Sequence, residues 1–235
     1  MTSLEIDLKP FFKKYEELVR VIDTIFGRVK KECRDLVCCK TGCSDCCNAL
    51  FDLTLIEAMY INHRFNEKFT GKDREEIIEK ANRADRKTYK IKRHAYKMHE
   101  KGENEVKILA SVGAERVRCP LLNREELCDL YSYRPITCRL YGIPTAIHGM
   151  GHTCGKSGFK EGVQYSTVNM DKIYDKLYEI SAELEVFIKT KHLKIADILM
   201  PISMALLTDF SDEYLGIIED DDKKESKDGQ IVSRG

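Results

Sequence analysis

Charge of one sign is missing from this sequence: among 235 residues, Lys+Arg and Asp+Glu each number 39, a formal net charge of +0. No global field draws the chain to nucleic acid or to an anionic membrane, so a charge-driven partner must be met locally. Long hydrophobic runs are missing too. The longest near-apolar stretch, Ile195 to Leu207, is interrupted by Asp197 and Pro201 and is too short to span a bilayer. The first residues, MTSLEIDLKPFFKK, have no basic region leading into an apolar core and a small-residue cleavage site, so no secretory signal is expected. There is no internal repeat. No GxGxxG follows a strand-like segment, which leaves a Rossmann-type nucleotide site without support. These absences make a cytoplasmic protein the expectation, with no membrane contact and nucleic acid an unlikely partner.

That compartment decides how ten cysteines are read. In a reducing cytosol, clustered thiols are more often metal ligands or redox-active groups than structural disulfides. Five of them fall within ten residues, Cys38-Cys39-Lys40-Thr41-Gly42-Cys43-Ser44-Asp45-Cys46-Cys47, too dense for ordinary burial of a small apolar side chain. From Cys39 the spacing is C-x3-C-x2-C-C, and short spacings let successive sulfurs reach one centre from a single turn. Cys39, Cys43 and Cys46 fit that demand. Cys47, next to Cys46, tends to point elsewhere, towards a second centre or a separate redox task. Further thiols arrive at Cys119, Cys128, Cys138 and Cys154. Four thiolates suit tetrahedral zinc or the irons of an iron–sulfur cluster, so eight make two four-ligand sites, or one site with several uncommitted thiols. Cys38 reads as a spectator. Cys33 lies on the apolar stripe of a helix and reads as a core thiol.

Helical periodicity dominates the rest. Phe11, Tyr15, Leu18, Ile22, Ile25, Val29, Cys33 and Leu36 predict an amphipathic helix from about Pro10 to Leu36. Thr54 and Glu57 predict a capping box opening a helix to about Phe65. Ile77, Ala81, Ala84, Thr88, Ile91, Ala95 and Met98 predict a long charged helix. Its second half, Arg86 to Lys101, is strongly basic with Tyr89 and Tyr96 interleaved; a solvated face is the common meaning of such a run, and a nucleic-acid or acidic-protein contact the sharper one. From Glu105 to Gly158 helical periodicity is lost, and Val106 to Val112 offers at most a short strand. Ser166 or Thr167 then caps a helix with the stripe Met170, Ile173, Leu177, Ile180, Leu184 and Phe187. A last helix near Ile195 to Phe210 is bent or started by Pro201. The fold class expected is mostly α, one domain over 1–218 enclosing an irregular cysteine-rich region with metal loops at 38–47 and 119–154. The charged stretch 219–235 has little to bury and is expected to be disordered.

Several side chains compete to tune a metal. His148 and His152 sit in a glycine-rich loop before Cys154, each a candidate ligand or proton carrier against the plainer reading of an exposed loop histidine. Around Cys138, Arg134 and Arg139 are candidates to offset the roughly two negative charges left on a tetrathiolate centre, with a surface ion pair as the alternative.

Together, Cys39-x3-Cys43-x2-Cys46-Cys47, Leu53 to Ala58, Cys119-Pro120-Leu121-Leu122, Cys128 and Arg134-Pro135-x2-Cys138-Arg139-x-Tyr141 resemble the CxxCxxCC family of zinc- or iron-chelating proteins, the YkgJ-type cysteine-cluster proteins to which flagellin lysine N-methylase is related. The resemblance covers about residues 33 to 158. It implies a metal centre, zinc or an iron–sulfur cluster of the 4Fe-4S kind, with Arg134, Arg139 and Tyr141 as residues that contact it. An electron-transfer, metal-handling or accessory role follows. The rivals are a cluster-dependent methyltransferase using S-adenosylmethionine on protein lysines, suggested by the three-thiol spacing, and a structural zinc module for partner binding.

Overall fold

The structure is a computed structural model that describes residues 6–40 and 42–217. The charged stretch expected to be disordered, 219–235, lies outside the described residues.

The first helix, α1, runs Lys9–Cys33, with Pro10 inside the first turn where its missing N–H costs nothing. Its apolar stripe buries Phe11, Phe12, Tyr15, Ile22 and Val29. A 3₁₀ turn, Arg34–Leu36, ends it. After the thiol loop and a second 3₁₀ turn at Cys46–Asn48 comes β1 (Asp52–Thr54), leading directly into α2 (Leu55–Lys68). Every residue from Leu55 to Asn62 is buried, which makes α2 the central rod, packed by its neighbours on all sides. Its polar members are satisfied. The Asn62 amide donates to Ala205 O and Thr208 O, both at 2.9 Å, and the Ser181 hydroxyl accepts from Ile56 N at 3.2 Å.

The long charged helix is α3, Gly71–Glu100, and it buries Ile77, Ala81, Ala84 and Thr88. Beyond Thr88 the stripe meets a second helix instead of the core. This is α4, Glu105–Ala114, and it corrects the strand expected at Val106 to Val112. Asn104 caps it by accepting from Val106 N at 2.8 Å, and it packs along the second half of α3. None of its residues is buried, so the burial stripe that marks a helix in sequence was never there to read.

A loop with a 3₁₀ turn at Tyr131–Tyr133 leads to α5 (Ile136–Leu140), and then β2 (Thr145–Ile147), β3 (Met150–His152) and β4 (Val168–Asn169) form a small sheet in the order β3-β2-β4. α6 spans Met170–Ile188, and its cap is Asn169, accepting from Lys172 N at 3.2 Å, where Ser166 or Thr167 was expected. Its stripe buries Met170, Ile173, Leu177, Ile180 and Leu184, but Ile188 takes the buried place expected for Phe187. The last predicted helix is broken into pieces: a 3₁₀ turn at Ile195–Asp197, β5 (Leu199–Pro201), and α7 (Ile202–Leu207), which Pro201 starts as N-cap residue. α8, Asp212–Leu215, follows. β5 pairs antiparallel with β1, Leu53 opposite Met200, because an extended segment at the entry to α2 leaves backbone groups that only another strand can satisfy. Eight α-helices and five short strands among the described residues make the protein mostly α, with an irregular cysteine-rich region at one side. No helix among them is long and apolar enough to cross a membrane.

Candidate metal centre

All ten cysteines carry free thiols. Seven of them, Cys39, Cys43, Cys46, Cys47, Cys119, Cys128 and Cys138, line a single cavity of about 450 Å³. The loop 38–47 and the segment 119–138, far apart in sequence, thus meet; of the expected second loop, 119–154, Cys154 is not in the lining. Backbone pairing brings them together. Cys119 N donates to Cys47 O at 2.7 Å, Val117 N donates to Asn48 O at 3.0 Å, and Ala49 bridges to Arg116. A second bridge, Leu122 with Cys128, folds the next turn back so that Cys128 returns beside Cys119. Cys138 enters from α5, whose first turn is anchored by Ile136 N donating to Glu57 Oε1 at 3.0 Å. Apolar side chains, including Phe26, Leu50, Phe51, Ile61, Val117 and Leu121, make up part of the rest of the wall.

Cys154 is outside the cavity lining. Its Sγ lies 3.7 Å from Asp45 Oδ2, inside the thiol loop, and it accepts from Lys156 N at 3.4 Å. Asp45 also accepts from the Tyr141 hydroxyl at 3.0 Å and pairs with Lys156 at 3.5 Å. These partners hold its carboxyl below the ordinary carboxylate range despite partial desolvation, which acts the other way. Burial, with Asp45 beside it, pushes the Tyr141 phenol up to about 12. Tyr141 therefore braces the thiol loop through Asp45. Sequence reasoning missed Asp45, although an acidic residue between Cys43 and Cys46 is its own signal.

The sulfurs interact electrostatically. The neighbouring Cys138 and Cys47 thiols, with Arg134 a smaller influence, hold Cys46 well below the ordinary thiol range, while Cys46 and burial push Cys138 and Cys47 up. Burial pushes Cys119 up to about 12 and raises Cys39, Cys128 and Cys154. Protein alone disfavours further thiolates here, and a bound cation is the usual remedy, since ligating thiols give up their protons to the metal.

The cationic residues divide in two. Arg139 is buried and tied to α1, with Nη1 on Asp23 Oδ2 at 2.7 Å and Nε donating to Arg134 O at 2.9 Å. Arg134 stacks on the Tyr131 ring at 4.0 Å and counteracts the raised values of Cys39 and Cys128. The cavity lining holds Lys30, Lys40, Arg118, Arg134 and Arg139 against one carboxylate, Glu126. Arg118 pairs with Glu126 at 2.7 Å and Arg139 with Asp23. Lys30, Lys40 and Arg134 have no ion-pair partner among the described residues and remain to balance an anionic centre.

The remaining candidates stand apart. His148 is exposed, its backbone N–H donating to Asp171 Oδ2 at 2.9 Å, and His152 is exposed on β3; neither lines the cavity. Cys33 packs partly buried against the core, and the exposed Cys38 thiol reaches Asp35 O at 3.7 Å.

Among the described residues, no three His, Cys, Asp or Glu side chains converge tightly enough to grip one small ion. The thiols instead surround a space many times the ~30 Å³ share of one water. Soft sulfur donors from four chain segments and cations without ion-pair partners fit a thiolate-bound zinc or iron centre.

Residues 38–155 match the model of the CxxCxxCC family, described as "Putative zinc- or iron-chelating domain". No curated protein and no solved structure matches the chain.

Proposed function

Because the chain belongs to the CxxCxxCC family of zinc- or iron-chelating domains, we propose that it holds an iron–sulfur cluster of the 4Fe-4S kind and serves in electron transfer or as an accessory to a redox partner. The observation that carries this is the single cavity of about 450 Å³ lined by seven thiols. A cluster there would supply a one-electron reservoir, and its potential would be set by burial and by charges near the sulfurs. Cys39, Cys43, Cys46, Cys47, Cys119, Cys128, Cys138 and Cys154 are the residues to hold metal. Arg134, with Lys30 and Lys40, offsets the negative charge of the thiolate-bound centre. Arg139 and Tyr141 position the thiol-bearing segments through Asp23 and Asp45. The apolar part of the wall strengthens the field of the charges beside it.

Anaerobic purification tests the reading. Brown protein with a broad visible absorbance, and iron and sulfide in equal amounts, is expected. Colourless protein holding stoichiometric zinc would overturn it. Cys43→Ala, Cys46→Ala and Cys138→Ala should each lose metal and stability, whereas Cys33→Ala should keep its metal; unchanged metal in Cys138→Ala would break the claim that loop and α5 serve one cavity.

A further inference from the structure

Two kinds of segment line the cavity of about 450 Å³. The thiols come from 38–47 and 119–138, and the charged side chains of the lining stand on or directly beside those same segments, Lys30 on α1 apart. The helices α2, α3 and α7 contribute Ile61, Ala84, Thr88, Ile202 and Ser203, with neither a cysteine nor a charge among them. Because α7 packs against both α2 and α3, these residues belong to one wall. A metal held by the thiols leaves that wall to another occupant.

Thr88 points to what the occupant is. It is only 2% exposed, yet it lines the cavity. On the same helix, Asn82 and Arg86 bond back to the carbonyls four residues before them. The Thr88 hydroxyl makes no such bond, nor any other among the described residues. The Ser203 hydroxyl is different, donating to Asp85 Oδ1 at 3.3 Å. Buried hydroxyls are rarely left unpaired, and a molecule held in the cavity can supply the partner that Thr88 lacks. The size agrees, since small-molecule sites run from about 300 to 1,000 Å³ and combine apolar walls with a few placed polar groups.

We infer that the cavity takes, beside its metal, a small uncharged organic molecule, an apolar body with one hydrogen-bonding group, seated on α2, α3 and α7 with that group on Thr88. This rests on the metal-binding reading above for the thiol side and goes beyond it in assigning the helix side to a ligand. An anionic ligand would find no cation on that wall.

Titration of the anaerobic, metal-loaded full chain with 1-naphthylamine tests this. The probe is uncharged at neutral pH and carries N–H donors, and the chain has no tryptophan to mask its emission. Saturable, blue-shifted emission is expected, with the anionic 1-naphthalenesulfonate binding about tenfold more weakly. Ala84→Leu, which fills the helix side, should weaken 1-naphthylamine binding about tenfold with metal content unchanged. Thr88→Val should weaken it about three- to tenfold and leave the binding of naphthalene, which has no group to bond, unaltered. Thr88→Val keeps the shape of the side chain and decides the matter if circular dichroism shows that Ala84→Leu does not fold. Absence of saturable binding to the loaded chain, equal affinity in the wild type and Thr88→Val, or tighter binding of the sulfonate overturns the inference. A chain that takes up no metal but binds 1-naphthylamine with the same dependence on Thr88 overturns the metal-binding reading and leaves the ligand site standing.

Discussion

Glu57 Oε1 accepts the backbone N–H of Ile136 at 3.0 Å, so a buried carboxylate on the central helix fixes the turn that carries Cys138. Tyr15 donates to the same oxygen at 3.4 Å, and the Thr54 hydroxyl to the other at 3.4 Å. The expected capping box is reduced to this contact between the Thr54 hydroxyl and the Glu57 carboxylate; the Thr54 side chain makes no cap bond to the helix. The carboxylate has been recruited to α5.

Glu57→Ala should therefore cost about 1–3 kcal/mol by leaving buried donors unpaired, and it should loosen metal by freeing Cys138. The pH dependence has a definite sign. Burial raises the Glu57 pKa above its ordinary 4.5, with the donors pulling the other way. The stability linked to this group is fully present below its unfolded value and is lost as pH rises through the folded one. Glu57→Gln, which stays neutral, should match the wild type at the acid end and gain relative to it as pH rises. Chemical denaturation of both proteins across that window checks this, and a pH-independent difference would refute it.

Much of this arrangement was legible in sequence, for a physical reason: α1, α3 and α6 each bury one stripe, and the stripe has the helix period. α4 was not, because it covers only another exposed helix and its apolar residues show no one-sided burial. The pairing of Leu53 with Met200 was not either, since two three-residue strands so far apart in sequence carry no local period. The thiols were legible as a group because their density has no structural explanation. Arg134 and Arg139 looked alike in sequence; only the position of Asp23 on α1 separates them.

The approach of Gly142 to Cys39 yields a second prediction. Gly142 has φ +104°, and a Cβ built on it would lie 2.7 Å from Cys39 Cβ. Gly142→Ala combines backbone strain of about 1–3 kcal/mol with a clash that no flexible side-chain end can relieve. It should lower the melting temperature and displace Cys39, reducing bound metal. Gly151→Ala, with nothing within 4 Å, is the control and should retain its metal. Equal metal in both variants would show that Cys39 is not a ligand.

The basic half of α3 presents Arg86, Arg93 and Lys97 with no ion-pair partner among the described residues, whereas Lys92 pairs with Asp52 at 2.7 Å and Lys87 reaches Arg116 O. Replacing Arg86, Arg93 and Lys97 by Gln should change stability by no more than about 0.5 kcal/mol each and leave metal content unchanged. Lys92→Gln removes a cross-link between α3 and β1, yet an exposed pair is worth only about 0–1 kcal/mol. Thermal melts and metal analysis of the two sets test this; metal loss in the first set would mean the helix supports the cavity.

Arg134 and Arg139 should separate in experiment as they do in space. Removing Arg134 takes a positive charge from beside Cys39, Cys46 and Cys128 without breaking an ion pair. Arg134→Gln should leave stability nearly unchanged and make the reduction potential of the bound centre more negative, on the order of tens of millivolts, since an electron then enters a less positive field. Arg139→Gln breaks a pair whose cation is buried, which costs about 3–5 kcal/mol where the remaining charge is also buried. Asp23 is half exposed, so the loss should fall toward the lower end. The midpoint of unfolding should drop sharply, with little change in potential in the protein that remains folded. Potentiometry paired with denaturation of the two variants decides it, and a larger potential shift for Arg139→Gln than for Arg134→Gln would reverse the assignment.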